Sequence, residues 1–461
     1  MSRPVACVQG LGFVGTAMAL AIASARDAGG QPAFDVVGVE LDSADGRAKA
    51  EWINRGELPI SSADPEMDVA LRRALEAGNL RATTDPAAYE QAAVTVVDVQ
   101  FDVDFGADRE PSIDFGTLEA ALRSLATRMP AGSLIVVETT VPPGTCEKVI
   151  GPLIDRALEE RGLPADAIML AHSYERVMPG PDYLDSIVNF WRVYAGRTPA
   201  AADACERFLG QVVNTADYPM SRLASTTASE IGKVLENSYR ATNIAFIEEW
   251  GRFAEAVGVD LFEVIDAIRV RPTHSNMRQP GFGVGGYCLP KDPLFPRLGA
   301  HELFGLEELE FSFSESAVRV NRAMPLVTVE KLRELLDGLE GRRIMLLGVS
   351  YREGVGDTRF SPAGTFVDAI AEQGGEVVPY DPIALDGPAG AAPELPDPAG
   401  FDAVVFAVGH AELAGMDVPA WLGESRPLIL DANRVLAAGA LHDLAGLGCR
   451  VWAIGRGAVE A

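Results

Sequence analysis

The segment best equipped for chemistry in this 461-residue chain reads Pro280-Gly-Phe-Gly-Val-Gly-Gly-Tyr-Cys288-Leu-Pro-Lys291-Asp292-Pro293. Glycines at 281, 283, 285 and 286 give a backbone that can lie against a ligand with no Cβ in the way. Cys288 stands beside a cation, Lys291, and a carboxylate, Asp292. A nearby cation favours the thiolate, the nucleophilic form of cysteine, and a carboxylate can act on water as a base. The bland alternative is a buried structural cysteine at a tight turn, and on the residues alone the two readings stand level.

A second pair could assist such a nucleophile. Lys233 and Asn237 lie four residues apart in a helical pattern, so they project from one face. Taken alone such a pair is more often a solvated stripe, and Glu230, one turn earlier, is an available partner for Lys233. At the other end of the chain, Gly10-Leu-Gly12-Phe13-Val14-Gly15 follows an apolar run and opens an Ala-rich helix, and the next β-rich run ends in Glu40. The pattern fits a dinucleotide turn: Gly10 for the bend, Gly12 for approach of a pyrophosphate, Gly15 for close helix packing. Glu40 can accept from both ribose hydroxyls and would repel a 2′-phosphate. With Leu41 next and no adjacent arginine, NAD is favoured over NADP.

Composition narrows the partners. A net charge of −27 and a pI near 4.6 argue against nucleic acid. Cys7, Cys146, Cys205, Cys288 and Cys449 are odd in number and form no CxxC pair, so neither a disulfide framework nor a metal site is expected. No apolar stretch is long enough to span a bilayer and no leader is evident, so a cytoplasmic protein without membrane contact is expected.

The elements that must position these residues alternate as in parallel α/β sheets. Expected strands are Val5–Gln9, Asp35–Glu40, Val94–Val99, Leu134–Thr140, Ile168–His172 and Arg192–Ala195. From Leu223 to Val257 one long helical period follows, with Ile231, Val234, Leu235, Ala241, Ala245, Phe246, Phe253 and Val257 on its apolar side. Arg271–Pro296 reads as a loop. Alternation returns with Arg343–Leu347, Glu376–Tyr380, Ala403–Val408, Leu428–Asp431 and Val451–Ile454, a helix near Pro362–Gln373 and a loop at Leu385–Gly400. The expected fold is two Rossmann-like, doubly wound parallel-sheet domains joined by a central helical segment.

Read in order, these stretches resemble the UDP-glucose/GDP-mannose dehydrogenase family. The resemblance runs through Gly10–Gly15, Ile53-Asn-Arg-Gly-Glu-Leu-Pro-Ile60, Ala82-Thr-Thr-Asp85, Glu138-Thr-Thr-Val-Pro-Pro-Gly-Thr145 and Glu175-Arg-Val-Met-Pro-Gly180. It continues through Lys233 and Asn237, Gly285-Gly-Tyr-Cys-Leu-Pro-Lys-Asp292, and Tyr351-Arg352 with Asp357-Thr-Arg359-Phe-Ser-Pro362. It implies an NAD domain over 1–210, a dimerisation segment carrying the cysteine loop over 211–323, and a nucleotide-sugar domain over 324–461. It further implies a homodimer and oxidation of a sugar CH2OH to a carboxylate by two hydride transfers, through a thiohemiacetal and thioester on Cys288.

By the same resemblance Lys233 and Asn237 stabilise charge on the reacting oxygen, Asp292 and Thr140 serve the hydrolytic water, and Glu175 serves thioester hydrolysis or touches substrate. Lys291 and Arg359 would contact cofactor, and Arg352, with Arg434 as a weaker second, the donor pyrophosphate. Gly285 and Gly286 would line the substrate.

The chain also departs from the family. Gln100-Phe-Asp-Val-Asp104 replaces a Thr-Pro pair near the cofactor, and His172-Ser-Tyr-Glu175 replaces Asn-Pro-Glu or Cys-Pro-Glu in the sugar site. Glu175–Gly180 resembles enzymes of UDP-N-acetylhexosamines, whereas Cys-Leu-Pro-Lys-Asp resembles the UDP-glucose and GDP-mannose branches, so sugar and base stay open. His172 and His274 are expected to satisfy backbone groups, and Trp191, Trp250 and Trp421 to pack. Two other functions compete. A two-electron β-hydroxyacid-type dehydrogenase would have no use for Cys288 or the C-terminal domain, and a non-catalytic nucleotide-sugar or NAD-binding relative would not need Cys288, Lys233 and Asp292.

Overall fold

The computed structural model describes residues 3–105, 110–384 and 390–461. It divides into two compact units: Met1–Glu236 with Leu294–Glu310, and Asn237–Pro293 with Phe311–Ala461.

The first unit is built on β1 (Val5–Gln9), β2 (Asp35–Val39), β3 (Leu80–Thr83), β4 (Ala92–Val97), a small hairpin of β5 (Val103–Phe105) and β6 (Pro111–Ile113), then β7 (Ser133–Val137), β8 (Ile168–Tyr174), β9 (Val193–Gly196) and β10 (Ser221–Arg222). Eight of these form one sheet in the order β10-β9-β8-β7-β4-β1-β2-β3. β1 pairs in parallel with both β2 and β4, while β8 and β9 are antiparallel. The sheet is therefore mixed, not wholly parallel as expected from sequence. β3, the hairpin and β10 escaped the sequence reading because each is short, and short runs carry little period-2 signal. The hairpin uses Val103 and Asp104 from the atypical stretch after β4.

The central strands are apolar on both sides, as strands covered on two faces must be. The helix Phe13–Ser24 is buried from Gly15 to Ala23, and its alanines let it lie close to the sheet. Other helices start where the sequence supplies a cap. Ser43 accepts from Gly46 N, Asp64 from Glu66 N ahead of Pro65, and Thr198 from Ala201 N.

The second unit holds β11 (Arg343–Leu347), β12 (Glu376–Tyr380), β13 (Ala403–Phe406), β14 (Leu428–Asp431), β15 (Val451–Ala453) and β16 (Gly457–Val459). Their order is β12-β11-β13-β14-β15-β16, parallel except for the final β15–β16 hairpin, whose second strand was not expected. Alternation along β11 separates two cores: Ile344 and Leu346 face one, Met345 and Leu347 the other. The helix Pro362–Glu372 begins at its Ser361 cap. Of the expected Leu385–Gly400 loop, residues 385–389 lie outside those described.

The long helical period is a single helix, Thr226–Val257. Its expected apolar side divides. Val234, Ala241 and Ala245 are buried, but Ile231, Leu235, Phe246, Phe253 and Val257 are exposed. Trp250, expected to pack, is 48% exposed and sits between Phe246 and Phe253 at ring distances of 6.3 and 6.2 Å. Trp191 is likewise exposed, while Trp421 is partly buried against the core on one face of the second sheet.

Candidate active site

In the first sheet the chain leaves β1 toward β2 on one side and β4 on the other, so the crevice at their carboxyl ends is where an open α/β sheet takes a ligand. The Gly10–Gly15 turn lies there. Gly10 has φ +92°, which only glycine adopts without strain, and a Cβ on it would lie 2.5 Å from the Asp98 carbonyl oxygen. A Cβ on Gly15 would collide with the Gly10 carbonyl. A Cβ on Gly12 meets nothing within 4 Å, so its glycine keeps space open and does not relieve crowding.

Helix Phe13–Ser24 starts at Gly12 with no side-chain cap, and its dipole favours an anion there. Glu40, just beyond β2, turns back over the bend: Leu11 N donates to Oε1 at 2.6 Å and Leu41 N to Oε2 at 3.2 Å. Cradle, helix start and acidic residue together fit a dinucleotide. Phe13 and Val14 are the first two residues of that helix.

Further along the same strand ends, Thr140 lies half-buried three residues past β7, which stops at Val137 and not at Thr140 as expected. Glu175 follows β8 and is buried. Lys233 Nζ donates to the Glu175 carbonyl at 2.8 Å and to its Oε1 at 3.1 Å, while Val177 N donates to Oε2. The Lys233 ammonium also lies 5.7 Å from the Tyr174 ring centre. A buried ammonium needs such compensation, and Glu175 supplies it with two oxygens. Glu230 is therefore not its partner. Glu230 instead accepts from Gly144 N at 2.6 Å and Cys146 N at 2.8 Å, pinning the Pro-Gly turn after Thr140, and burial raises its carboxyl to about 7.

His172 bonds a side chain and not the backbone, with Nδ1 2.8 Å from Ser229 Oγ. Burial, then the Lys233 charge, lowers it to about 3, so it is neutral at physiological pH. His274, half-buried, meets Thr273 Oγ1 at 2.9 Å.

In the second unit the cysteine loop is folded tightly. Lys291 N and Asp292 N donate to the Cys288 carbonyl at 3.1 and 2.9 Å, closing a turn that starts a 3-10 segment at Asp292. Asp292 is fully buried and held at both oxygens: Lys291 Nζ donates to Oδ1 at 3.0 Å, and Asn237 Nδ2 to Oδ2 at 2.8 Å. Cys288 is partly exposed, unlike the other four cysteines. Burial raises those thiols, Cys7 to about 12 and Cys146, Cys205 and Cys449 also upward.

Gly285 and Gly286 pack against Tyr351, where Cβ atoms would come within 2.8 and 2.9 Å of its side chain. Arg359 forms a two-pronged pair with Asp357 and lies 5.4 Å from the Tyr287 ring.

At the switch point of the second sheet one glycine, Gly348 with φ +98°, starts the loop that carries Tyr351 and Arg352. That loop is anchored from below by residues the sequence reading passed over. Asp381 accepts from Val349 N, Ser350 N, Ser350 Oγ and His410 Nε2, and Gly354 N donates to His410 Nδ1. An acidic residue closing β12 and a histidine after β13 were the available signals. Arg352 approaches Glu353 at 3.7 Å. Arg434, in the left-handed region at φ +53°, pairs with Asp266 and lies 4.9 Å from the Phe262 ring.

The glycine turn, the helix start above it and Glu40 make the first unit a dinucleotide-binding one, and comparison with known proteins supplies the class of enzyme. The family models describing the NAD binding, central and UDP binding domains of the UDP-glucose/GDP-mannose dehydrogenase family match residues 5–211, 227–323 and 345–438. UDP-N-acetyl-D-mannosamine dehydrogenase of Pyrococcus horikoshii is 31% identical over 435 residues, covering 93% of this chain and 95% of that protein. NDP-N-acetyl-D-galactosaminuronic acid dehydrogenase of Ralstonia nicotianae is 30% identical over 373 residues, 79% of this chain and 80% of that one. The solved UDP-D-ManNAc dehydrogenase of Pyrococcus horikoshii superposes with a TM-score of 0.81 at 29% identity, covering 99% and 100% of the two chains.

The chain belongs to the UDP-glucose/GDP-mannose dehydrogenase family. It is an NAD-dependent nucleotide-sugar 6-dehydrogenase, with an NAD-binding domain and a UDP-sugar-binding domain. No helix among the described residues is long and apolar enough to cross a membrane.

Proposed function

We propose that the chain oxidises the C6 hydroxymethyl of a UDP-N-acetylhexosamine, N-acetylmannosamine first among them, to the carboxylate, passing through a thioester on Cys288. The observation that carries this reading is the contrast among cysteines. Four are buried with raised thiols, and the partly exposed one opens the turn to a buried lysine–carboxylate–asparagine chain. Support for the sugar comes from the names of the Pyrococcus and Ralstonia relatives and from the Glu175–Gly180 segment.

Bound NAD+ supplies the hydride acceptor in each of two oxidations. Lys233, fixed by Glu175, stabilises negative charge on the sugar oxygen as the alcohol becomes an aldehyde. The Cys288 thiolate then forms a C–S bond to that carbon, and Lys233 with Asn237 holds the resulting oxyanion. Loss of the second hydride leaves the thioester. Water, positioned by Thr140 and deprotonated by Asp292 or Glu175, breaks the C–S bond and returns the thiolate. The balance is one CH2OH, two NAD+ and one water giving one carboxylate, two NADH and three protons. Arg352 and Arg434 hold the pyrophosphate, Gly285 and Gly286 admit the sugar, and Lys291 and Arg359 contact the cofactor.

The functional domains are 1–210, 211–323 and 324–461, and the enzyme works as a homodimer. The test of substrate is kcat/KM across UDP-N-acetylmannosamine, UDP-N-acetylgalactosamine, UDP-glucose and GDP-mannose. An N-acetylated UDP sugar leading by tenfold or more is expected, whereas UDP-glucose or GDP-mannose leading would overturn the assignment.

A further inference from the structure

Asp98 is the first residue after β4, directly beneath the Gly10–Gly15 turn. A Cβ placed on Gly15 would lie 3.2 Å from the Asp98 Cβ. The half-buried Asp98 carboxyl has its Oδ2 fully enclosed and without a hydrogen-bond partner, an uncommon state for a carboxylate oxygen.

Its charged surroundings come from the strand ends on the β7 side of β4: Glu138 after β7, Glu175 after β8 and Arg192 before β9. Arg192 is committed to Glu138 in a fully buried pair, and Lys233 to Glu175. Each cation thus has its carboxylate, and Asp98 is the acid of the group left without one. An ionised carboxylate left over in such a place is costly, which favours the protonated form. Burial first, then Glu138 and Glu175, push the Asp98 carboxyl well above its ordinary range, in keeping with that count.

The strand order says which half of the dinucleotide comes near. Glu40 lies at the end of β2, on one side of β1, and is placed for the adenosine ribose; the glycine turn holds the pyrophosphate. The nicotinamide half must then run the other way, over β4. That ring is a cation in NAD+ and neutral in NADH.

We propose that Asp98 is a proton-linked counter-charge for the nicotinamide half of the cofactor, protonated when that half is absent and ionised beneath the NAD+ ring. Its proton goes to solvent as NAD+ binds and is regained once the ring becomes neutral. The residue positions and discriminates cofactor by its field, without entering the chemistry.

The test is calorimetric titration of the whole protein with NAD+ and with NADH, at one pH near 7, in buffers of low and high ionisation enthalpy. The wild type should release a fraction of a proton with NAD+ and less with NADH, and its NAD+ affinity should rise with pH, by no more than tenfold per unit. Asp98→Asn, isosteric and neutral, should remove the NAD+-specific release, flatten the pH dependence and shrink the preference for NAD+ over NADH by roughly tenfold. Unchanged proton release in Asp98→Asn would overturn the proposal, placing the proton on Glu138 or elsewhere. Equal heats in both buffers for the wild type would overturn it too, with no variant needed.

Discussion

Glu175 engages the Lys233 ammonium through both its carbonyl and its carboxylate, so the position of the cation is set by a strand end and not by a long flexible stem. Truncating Lys233 to alanine should lower kcat by roughly 100-fold or more, the usual cost of losing a preorganised oxyanion donor, with a smaller change in KM. Stopped-flow rates of NADH formation check this, and equal effects on kcat and KM would count against the role.

Glu230 yields a prediction of a different kind. Its folded carboxyl titrates at about 7 against an ordinary 4.5, so the folded state holds a proton that the unfolded chain has released between those values. Its contribution is fully present below about pH 4.5 and is lost as pH rises through 7. The full shift corresponds to about 3 kcal/mol. Glu230→Gln should flatten part of the decline in stability measured by denaturant melts between pH 5 and 8. A residual slope should remain from Glu248, which burial also raises to about 7.

At this scale type and spacing offered Cys288, Lys233, Asn237 and Asp292 as candidates, and it was the family resemblance that raised them above a structural reading. Partners were not legible. Glu175 and Lys233 are 58 residues apart, and nothing local says that Glu230 instead turns to the backbone of Gly144 and Cys146.

Among elements, the glycine turn separates structure from binding. A methyl on Gly15 collides with the Gly10 carbonyl, while one on Gly12 meets no protein atom within 4 Å. Gly12→Ala should therefore melt within about 2 °C of wild type yet bind NAD at least tenfold more weakly, because the methyl occupies the pyrophosphate's approach. Gly15→Ala should lose both. Thermal melts alongside NADH fluorescence titration distinguish the two, and a Gly12→Ala protein that melts like wild type but keeps full affinity would contradict the placement.

Strands such as β1, β11, β12 and β14 were legible to the residue because short apolar runs end at glycine or polar residues. Edge strands other than β12 were not. β3, β10 and β16 are stabilised by their neighbours more than by their own pattern, and the antiparallel joins at β9 and β16 have no signature in hydrophobic period.

For the whole molecule, the exposed side of the Thr226–Val257 helix bears on assembly. Phe246, Trp250, Phe253 and Val257 form a line of large apolar side chains that water would not ordinarily be left to cover. Sedimentation should show a dimer, and Trp250→Glu with Phe253→Glu should shift it toward monomer while leaving NAD binding intact. The helical period was legible from sequence, but which of its apolar residues face inward was not, since a pattern that serves two partners looks like one broad face.

The central claim is a four-electron oxidation through Cys288, and the most direct measurement is NADH formed per mole of limiting UDP-N-acetylmannosamine, with Cys288→Ala alongside. Two NADH per sugar, with net turnover lost in the variant, is the expected result. One NADH per sugar, unchanged by Cys288→Ala, would make the enzyme a two-electron alcohol dehydrogenase and contradict the account.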